Sequence, residues 1–191
     1  MHIVKKIKKI SLSKSFFPFW RYQFLIKSLN KKIKPYKINR EILGVGNVVF
    51  ALCYSKEEKK FYLIKQFRPF YYVRKEKYKF ELVGGLVDKT ETITQALKRE
   101  IMEEIGVKTL KLKKLTKYCP VPGYSDEIVH VFYAEVEKIK NSHLYNKFEN
   151  EEIKVSKLTL NQLKKINSSE QIQNVLTKVS IYEYLNKIKK N

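Results

Sequence analysis

Three glutamates stand close together in a basic chain. Glu100, Glu103 and Glu104 are three and four residues apart, a spacing that places side chains on one face of an α-helix. Carboxylates side by side repel one another at neutral pH, and a hard cation that prefers oxygen ligands, such as Mg²⁺, removes that repulsion. A solvated acidic surface is the alternative, but this basic chain concentrates its acidic residues here. The spacing therefore favours a metal site.

The sequence around these glutamates predicts the helix that positions them. Apolar residues recur at helical spacing and predict one buried face; they are Ala96, Leu97, Ile101 and Ile105. Thr90 or Thr92 can cap the first turn. Gly106 can end the helix in a left-handed conformation just past its last turn.

The stretch from Gly84 to Val107 resembles the signature of the Nudix hydrolases. It fits the pattern G-x5-E-x7-R-E-U-x-E-E-x-G-U, where U is apolar, from Gly85 to its end. Members of that family hold divalent metals against the diphosphate of a nucleoside diphosphate linked to another group. The resemblance thus implies a hydrolase, and an α/β fold (an α+β Nudix-type sandwich) with a mixed β-sheet between helices.

The resemblance also implies roles for residues of this stretch. It implies a site for Mg²⁺, with Mn²⁺ as a substitute, whose ligands here are Glu100, Glu104 and the carbonyl oxygen of Gly84, with Glu103 assisting. Glu91 and Arg99 would form a buried ion pair that holds the loop onto the helix and orients Glu100.

Two segments before the signature resemble the Nudix branch that cleaves ADP-ribose and related nucleotide sugars. Gln66-Phe67-Arg68-Pro69 is similar to its Q-[FY]-R-P, which implies that the planar fork of Arg68 binds substrate phosphates. A surface arginine at a strand end is the alternative. Glu81-Leu82-Val83-Gly84-Gly85 stands where the branch has E-L-P-A-G. The exchanges at Val83 and Gly84 predict a more flexible loop.

Two later segments resemble the same branch. Residues 122–127, PGYSDE, match part of its S-P-G-[FY]-S-D-E, with Val121 in place of serine, which implies substrate binding by Pro122 and Gly123 in a rigid loop. Residues 149–153, ENEEI, are similar to its E-N-E-[DE]-I. That likeness implies that Glu149 is the catalytic base on a mobile loop and that Glu151 completes the metal site; a solvated acidic turn is the alternative.

Periodicity outlines the remaining elements. It predicts a hairpin from residues 42–54 and 61–67, a strand over 79–83 before the catalytic loop, strands over 110–118, 128–136 and 154–158, and a mobile loop over 137–148. Two C-terminal helical stripes follow, one at Leu160, Leu163 and Ile166, the other at Val175, Val179, Tyr182 and Leu185. We expect the glutamate helix on one side of the sheet and the C-terminal helices on the other.

Composition limits the class of protein. The net charge is +21, from 40 basic and 19 acidic residues. Most of the basic residues are lysines spread along the chain, so binding of nucleic acid is not favoured, although steering of small polyanionic substrates is. The chain has no apolar run long enough to span a membrane. Cys53 and Cys119 lack metal-ligand spacing and indicate free thiols in a reducing cytoplasm.

The first forty residues differ from the rest. Residues 1–40 contain no acidic side chain, and Phe16, Phe17, Phe19 and Trp20 cluster among lysines. We interpret 1–40 as a small antiparallel lobe that dimerises, and 41–191 as the Nudix domain. A mitochondrial presequence and a membrane-surface helix are alternatives. The predicted reaction is Mg²⁺-dependent hydrolysis of ADP-ribose to AMP and ribose 5-phosphate. A diphosphatase for UDP-sugars or other nucleotide sugars, and an RNA-binding or RNA-decapping protein, are the alternatives.

Overall fold

The computed structural model describes residues 2–13, 15–146 and 150–189 of the chain. Two compact units are distinguished. The first extends to Gly46 and also includes Cys119–Ile128, and the second comprises Asn47–Tyr118 and the chain from Val129 onward. Across the described ranges, no helix has the length and apolar composition that crossing a membrane requires.

The first unit contains a three-stranded antiparallel sheet. Its strands are β1 (His2–Ser13), β2 (Phe19–Ser28) and β3 (Tyr36–Leu43), in the order β1-β2-β3. The predicted N-terminal antiparallel lobe is confirmed.

The proline-containing loop joins this unit through polar contacts. The backbone N–H of Leu43 donates to the carbonyl of Tyr124 at 2.8 Å. Oδ1 of Asp126 accepts hydrogen bonds from the backbone N–H groups of Val45 and Gly46 at 2.7 and 2.9 Å. These contacts hold the loop that contains Pro122 and Gly123.

The second unit is built on a seven-stranded mixed sheet. Its elements in chain order are β4 (Asn47–Ser55), β5 (Lys60–Lys65), α1 (Pro69–Val73), β6 (Val83–Leu86), α2 (Ile93–Ile105), β7 (Thr109–Tyr118), β8 (Ile128–Val136), β9 (His143–Asn146), β10 (Glu151–Leu158), α3 (Leu160–Asn167) and α4 (Val175–Lys189). The strand order is β7-β8-β4-β5-β10-β9, and β6 pairs with β4. The predicted hairpin is present, because β4 and β5 are antiparallel neighbours.

Helices cover both faces of this sheet. Tyr62 and Ile64 of β5 lie in the buried core that α2 completes. Phe61 of the same strand contacts Tyr184 of α4, with ring centroids 5.4 Å apart. Since neighbouring residues of a strand point to opposite faces, α2 and α4 lie on opposite sides. The expected α/β arrangement is confirmed.

Helix α2 begins and ends where the sequence predicts. Thr92 caps it, and its hydroxyl accepts from the N–H of Gln95 while Gln95 returns a bond to the backbone of Thr92. Gly106 ends it with φ +67°, a conformation that glycine adopts without strain. The buried apolar residues are those predicted, Ala96, Leu97, Ile101 and Ile105.

Two strand predictions were wrong in position or kind. The strand expected over 79–83 lies later, as β6, and Glu81 forms only an isolated bridge to Ile64. The segment 137–148, expected to be a mobile loop, contains β9, which pairs with β10. The segment is mostly polar, so the sequence did not show that two of its apolar residues are structural: Ile139 is buried and Leu144 packs against the core.

The prediction of the second C-terminal apolar stripe was also wrong. Val175, Val179 and Tyr182 are exposed, whereas α4 buries Thr177, Ser180 and Ile181. The small hydroxyl side chains fit this interface because their hydrogen bonds are satisfied. Oγ1 of Thr177 accepts from the N–H of Leu82 at 3.2 Å, and Oγ of Ser180 donates to the carbonyl of Leu176 at 2.6 Å.

Candidate active site

Helix α2 directs two of its glutamates toward the interior. Glu100 and Glu104 are 5% and 4% exposed, whereas Glu103 is half-buried. They lie on the buried side of α2 and face β6, which carries Gly84 and Gly85. Carboxylates at this depth need compensating partners.

The two glycines of β6 leave room that no other residue type would. Gly84 has φ +148°, and a Cβ there would lie 2.0 Å from the carbonyl oxygen of Val49. A Cβ on Gly85 would lie 2.4 Å from Oε1 of Glu100. Val83 and Gly84 are both buried in β6 and paired with β4, and the greater flexibility expected of this loop stays a prediction.

The surroundings of Glu104 disfavour the negatively charged form of its carboxylate. Burial, and then the nearby Glu100, raise the pKa of Glu104 well above its usual value. The backbone N–H of Gly84, which donates to Oε2 at 2.7 Å, acts in the opposite direction. A cation between these carboxylates would remove most of this cost.

Arg99 connects the loop after β6 to the glutamate face of α2. Its Nε donates to Oε1 of Glu91 at 2.8 Å, and one terminal nitrogen donates to Glu100 at 2.9 Å and to Glu103 at 3.0 Å. The other reaches the carbonyl of Leu86 at 3.1 Å. The hydrogen bond with Glu91, first of all, raises the pKa of Arg99 and lowers that of Glu91.

The ion pair between Arg99 and Glu91 is therefore present, but it is not fully buried. The two side chains are 29% and 20% exposed. Its geometry fixes the guanidinium, and the guanidinium in turn fixes the carboxylate of Glu100.

A second arginine lies among carboxylates from other segments of the chain. Nε of Arg68 donates to Oε2 of the buried Glu81 at 2.9 Å. With the Gln66 amide oriented so that its oxygen accepts from Arg68, its nitrogen donates to Oε2 of Glu151 at 3.0 Å. Burial alone would lower the pKa of Arg68, but Glu81, and then Glu104 and Glu151, raise it.

The structure thus brings together four residues that the sequence assigned to the site. Arg68, Glu100, Glu104 and Glu151 come from three separate segments, and Glu104 is affected by the charges of the other three. Sequence reasoning gave no role to Glu81 or Gln66. A charged residue inside the apolar run Phe80–Val83 was the available signal for Glu81, because carboxylates are rarely buried without a partner.

The oxygen donors here suit a hard divalent cation. Within the part of the chain that the structure describes, no three His, Cys, Asp or Glu side chains lie close enough together to enclose a metal ion. The donor set still fits Mg²⁺ by its chemistry, since Glu100, Glu104 and Glu151 all offer carboxylate oxygens and the charges of Glu100 and Glu151 both act on Glu104.

Three predicted site residues keep roles that are still predictions. Glu149 is outside the described residues, so its role as catalytic base stays a prediction. Pro122 and Gly123 lie in an exposed turn of the first unit, and their contact with substrate also stays a prediction.

Comparison with known proteins identifies relatives of the chain. The family model described as NUDIX domain matches residues 45–178. The ADP-ribose pyrophosphatase of Bacillus subtilis is 34% identical over 149 residues, which cover 76% of this chain and 75% of that protein. The GDP-mannose pyrophosphatase of Cronobacter sakazakii is 27% identical over 161 residues, 83% of each chain.

A solved structure shares the fold. The crystal structure described as ADP compounds hydrolase superposes with a TM-score of 0.72 over 98% of this chain and 95% of that chain, at 14% sequence identity. At this identity the likeness supports the fold alone.

Proposed function

This chain belongs to the Nudix family of hydrolases, and we propose that it hydrolyses the diphosphate bond of ADP-ribose to give AMP and ribose 5-phosphate, with Mg²⁺ as its metal. The observation that carries the proposal is the convergence of Arg68 and Glu151 with the buried Glu100 and Glu104 at one site. Hydrolysis of a diphosphate depends on positioning and on neutralising charge around the phosphorus atoms, and this set of side chains is suited to both.

Each residue has a part in the proposed reaction. Glu100, Glu104 and Glu151, with the carbonyl of Gly84, would hold the divalent metal, which supplies charge neutralisation and an acidified water. Arg68 binds phosphate oxygens, and Glu81 keeps its guanidinium in position.

The groups around these ligands complete the proposal. Arg99 orients Glu100 and Glu103. Glu149 accepts the proton of the attacking water, a step that needs a carboxylate within hydrogen-bond reach.

The substrate assignment has two sources of support. The Bacillus relative is named an ADP-ribose pyrophosphatase, and the segments around Arg68, Pro122 and Glu151 resemble that branch in order along the chain. GDP-mannose is the second candidate, because the Cronobacter relative, which aligns over a larger share of the chain, is named a GDP-mannose pyrophosphatase. Both candidates are nucleotide-sugar diphosphates.

The oligomeric state and location belong to the same proposal. The first unit leaves large apolar side chains exposed, among them Phe16, Ile3 and Val4, and a homodimer formed through this unit would cover them. A cytoplasmic location is supported by the free thiols of Cys53 and Cys119.

A panel assay tests the function. Purified protein, stripped of nucleic acid, is assayed with ADP-ribose, GDP-mannose, UDP-glucose and a nucleoside triphosphate at equal concentration, with Mg²⁺ and with EDTA. We expect the highest kcat/KM for ADP-ribose and no turnover in EDTA. A higher value for GDP-mannose would favour the second candidate. No Mg²⁺-dependent release of a nucleoside monophosphate from any compound would overturn the hydrolase proposal and favour an RNA-binding role.

A further inference from the structure

A cavity of about 710 Å³ lies on the face of the seven-stranded sheet that points away from α2. Ile64 of β5 and Val155 of β10 belong to the core beneath α2, so their strand neighbours Lys65 and Lys154 point to the opposite face. Both lysines line the cavity. It is therefore on the opposite side of the sheet from the glutamates of α2.

A row of basic residues crosses three strands in this cavity. Lys154 of β10 stands directly opposite Lys65 of β5 on one side and opposite His143 of β9 on the other. Like charges at directly opposed positions destabilise a sheet. An anion bound across the row would turn this repulsion into attraction.

Two carboxylates, those of Glu76 and Glu152, also line the cavity, but among the described residues neither forms an ion pair with the lysines of the cavity. Of the ion pairs found between described residues, none includes Lys65, Lys77 or Lys154. Burial, and then the charges of Lys154 and Lys79, lower the pKa of Lys65. The ammonium group of Lys65 also lies 4.0 Å from the centroid of the Phe80 ring. Three lysines against two carboxylates leave this concave surface positive, which suits a phosphate with its several strong acceptors.

Two aromatic rings adjoin the lysines. Phe67 and Tyr78 are 51% and 38% exposed, and their rings meet edge to face with centroids 5.9 Å apart. Both line the cavity. Exposed rings of this size provide an apolar surface for a flat aromatic ligand, and the volume lies within the range of about 300–1,000 Å³ typical of small-molecule sites.

We propose that this cavity is a second ligand site, which binds a nucleoside monophosphate with its phosphate on Lys65 and Lys154 and its base against Phe67 and Tyr78. The site is separate from the diphosphatase site, and binding there does not depend on the proposed reaction. A second copy of this chain is the other candidate occupant of this surface, and the experiment below distinguishes the two.

The strands that form the cavity also carry active-site residues. Gln66 lies between Lys65 and Phe67, and its amide nitrogen donates to Glu151 at 3.0 Å. A ligand that fixes β5 against β10 therefore acts on the position of Glu151. If the proposed function is right, the product of the reaction is itself a nucleoside monophosphate, and this coupling would make the cavity a feedback site.

Calorimetric titration of the full chain with AMP in EDTA tests the binding. Without a divalent metal the carboxylates of the catalytic site disfavour AMP there, and the lysine variants below show whether the titration reports the cavity. We expect saturable binding of AMP, with adenosine and inorganic phosphate each bound at least about tenfold more weakly. The same affinity is expected in the Glu104→Gln background, which alters only the catalytic site.

Paired lysine variants provide the control. Lys65→Gln combined with Lys154→Gln should weaken AMP binding at least about tenfold. Lys111→Gln combined with Lys113→Gln, which changes two exposed lysines of β7, should leave it unchanged. Circular dichroism verifies that both proteins are folded.

Two results would overturn the proposal. One is the absence of AMP binding at millimolar concentration in EDTA. The other is an equal affinity for AMP in the two double lysine variants. A change from dimer to monomer on substituting Lys65 and Lys154, seen by light scattering without any loss of AMP affinity, would assign this surface to a second copy of the chain.

Discussion

The carboxylate of Glu104 accepts a hydrogen bond from the backbone N–H of Gly84, with 2.7 Å between Oε2 and nitrogen. This bond joins α2 to β6, and it places a carboxylate of raised pKa next to the carbonyl expected to bind metal. The contact partly compensates a negative charge that burial and Glu100 disfavour. The negative charge that metal binding would use is therefore unfavourable for the stability of the fold without metal.

Glu104→Gln should separate these two effects. The amide keeps the shape of the side chain and an oxygen that accepts from Gly84, but it binds a divalent metal poorly, so we expect kcat/KM to fall by at least about 10²- to 10³-fold. Stability in EDTA should be unchanged or higher, because a neutral group is buried in place of a charge. Steady-state kinetics and thermal unfolding measure both, with Glu183→Gln on α4 as the control. Near wild-type turnover at saturating Mg²⁺ would contradict the metal assignment.

Alanine at the two glycines should give different defects. At Gly84 the backbone has φ +148° and a Cβ would collide with the carbonyl of Val49, so Gly84→Ala should destabilise the fold by about 2–4 kcal/mol. At Gly85 the Cβ would displace the carboxylate of Glu100, so Gly85→Ala should lose activity in excess of its loss of stability.

The matched control for the stability of these variants is Gly123→Ala; because Gly123 is a predicted substrate-binding residue, it is not a control for activity. A Cβ at Gly123 meets no atom within 4 Å. The free energy of unfolding of Gly123→Ala should therefore stay within about 0.5 kcal/mol of the wild-type value. Chemical denaturation of all three proteins, and the diphosphatase assay of Gly84→Ala and Gly85→Ala against wild type, measure these effects. Equal stability of Gly84→Ala and Gly123→Ala would mean that β6 can rearrange.

Arg99→Lys should reduce catalysis while the positive charge is retained. Lysine cannot reach Glu91, Glu100 and Glu103 together, because it lacks the planar fork. Loss of a group that orients a metal ligand typically costs about 10- to 100-fold, and we expect that fall in kcat/KM together with a higher Mg²⁺ requirement. Glu91→Gln should produce part of the same defect, and the double variant should be less impaired than the sum of the two predicts. Additive effects would show that the two residues act independently.

Short-range sequence patterns predicted α2, its ends and its buried residues. The site contacts that were not predicted depend on pairing between segments distant in sequence. The spacing of α2, the cap at Thr92 and the stop at Gly106 depend on residues within a few positions of each other. The contact of Gln66 with Glu151 exists because β5 lies beside β10, and no short-range pattern fixes that pairing.

The same reason explains two further misses. Arg68 meets Glu81 because Ile64 and Glu81 form a bridge, which periodicity within one strand does not reveal. On α4 the sequence suggested an apolar stripe, but a close approach to the sheet selects small hydroxyl residues such as Thr177 and Ser180.

Polar substitutions in the first unit should weaken the proposed dimer. Light scattering of the full chain should give twice its mass of 22.8 kDa. Replacing Ile3, Val4 and Phe16 together by serine removes exposed apolar surface and should raise the dissociation constant at least about tenfold. Tyr72→Ser with Val73→Ser, which alters exposed residues of the second unit, is the control. A wild-type monomer at micromolar concentration would exclude the dimer.

His130 should make stability depend on pH between neutrality and mild acid. Its Nε2 lies 2.8 Å from Oδ1 of Asn47 in the second unit, and burial, then Lys117 and Lys114, lower its pKa from the usual 6.5. The unfolded chain therefore takes up a proton at a pH where the folded chain does not.

The sign of the effect follows from this difference. Stability from neutral His130 is complete above about pH 6.5 and is lost as the pH falls from there through the lower pKa of the folded state. In His130→Gln this contribution is absent, and the amide can still bond to Asn47. Thermal midpoints at pH 7.5 and 5.5, measured in EDTA, should therefore fall less for His130→Gln than for wild type. An equal or larger fall in the variant would show that His130 does not carry this dependence.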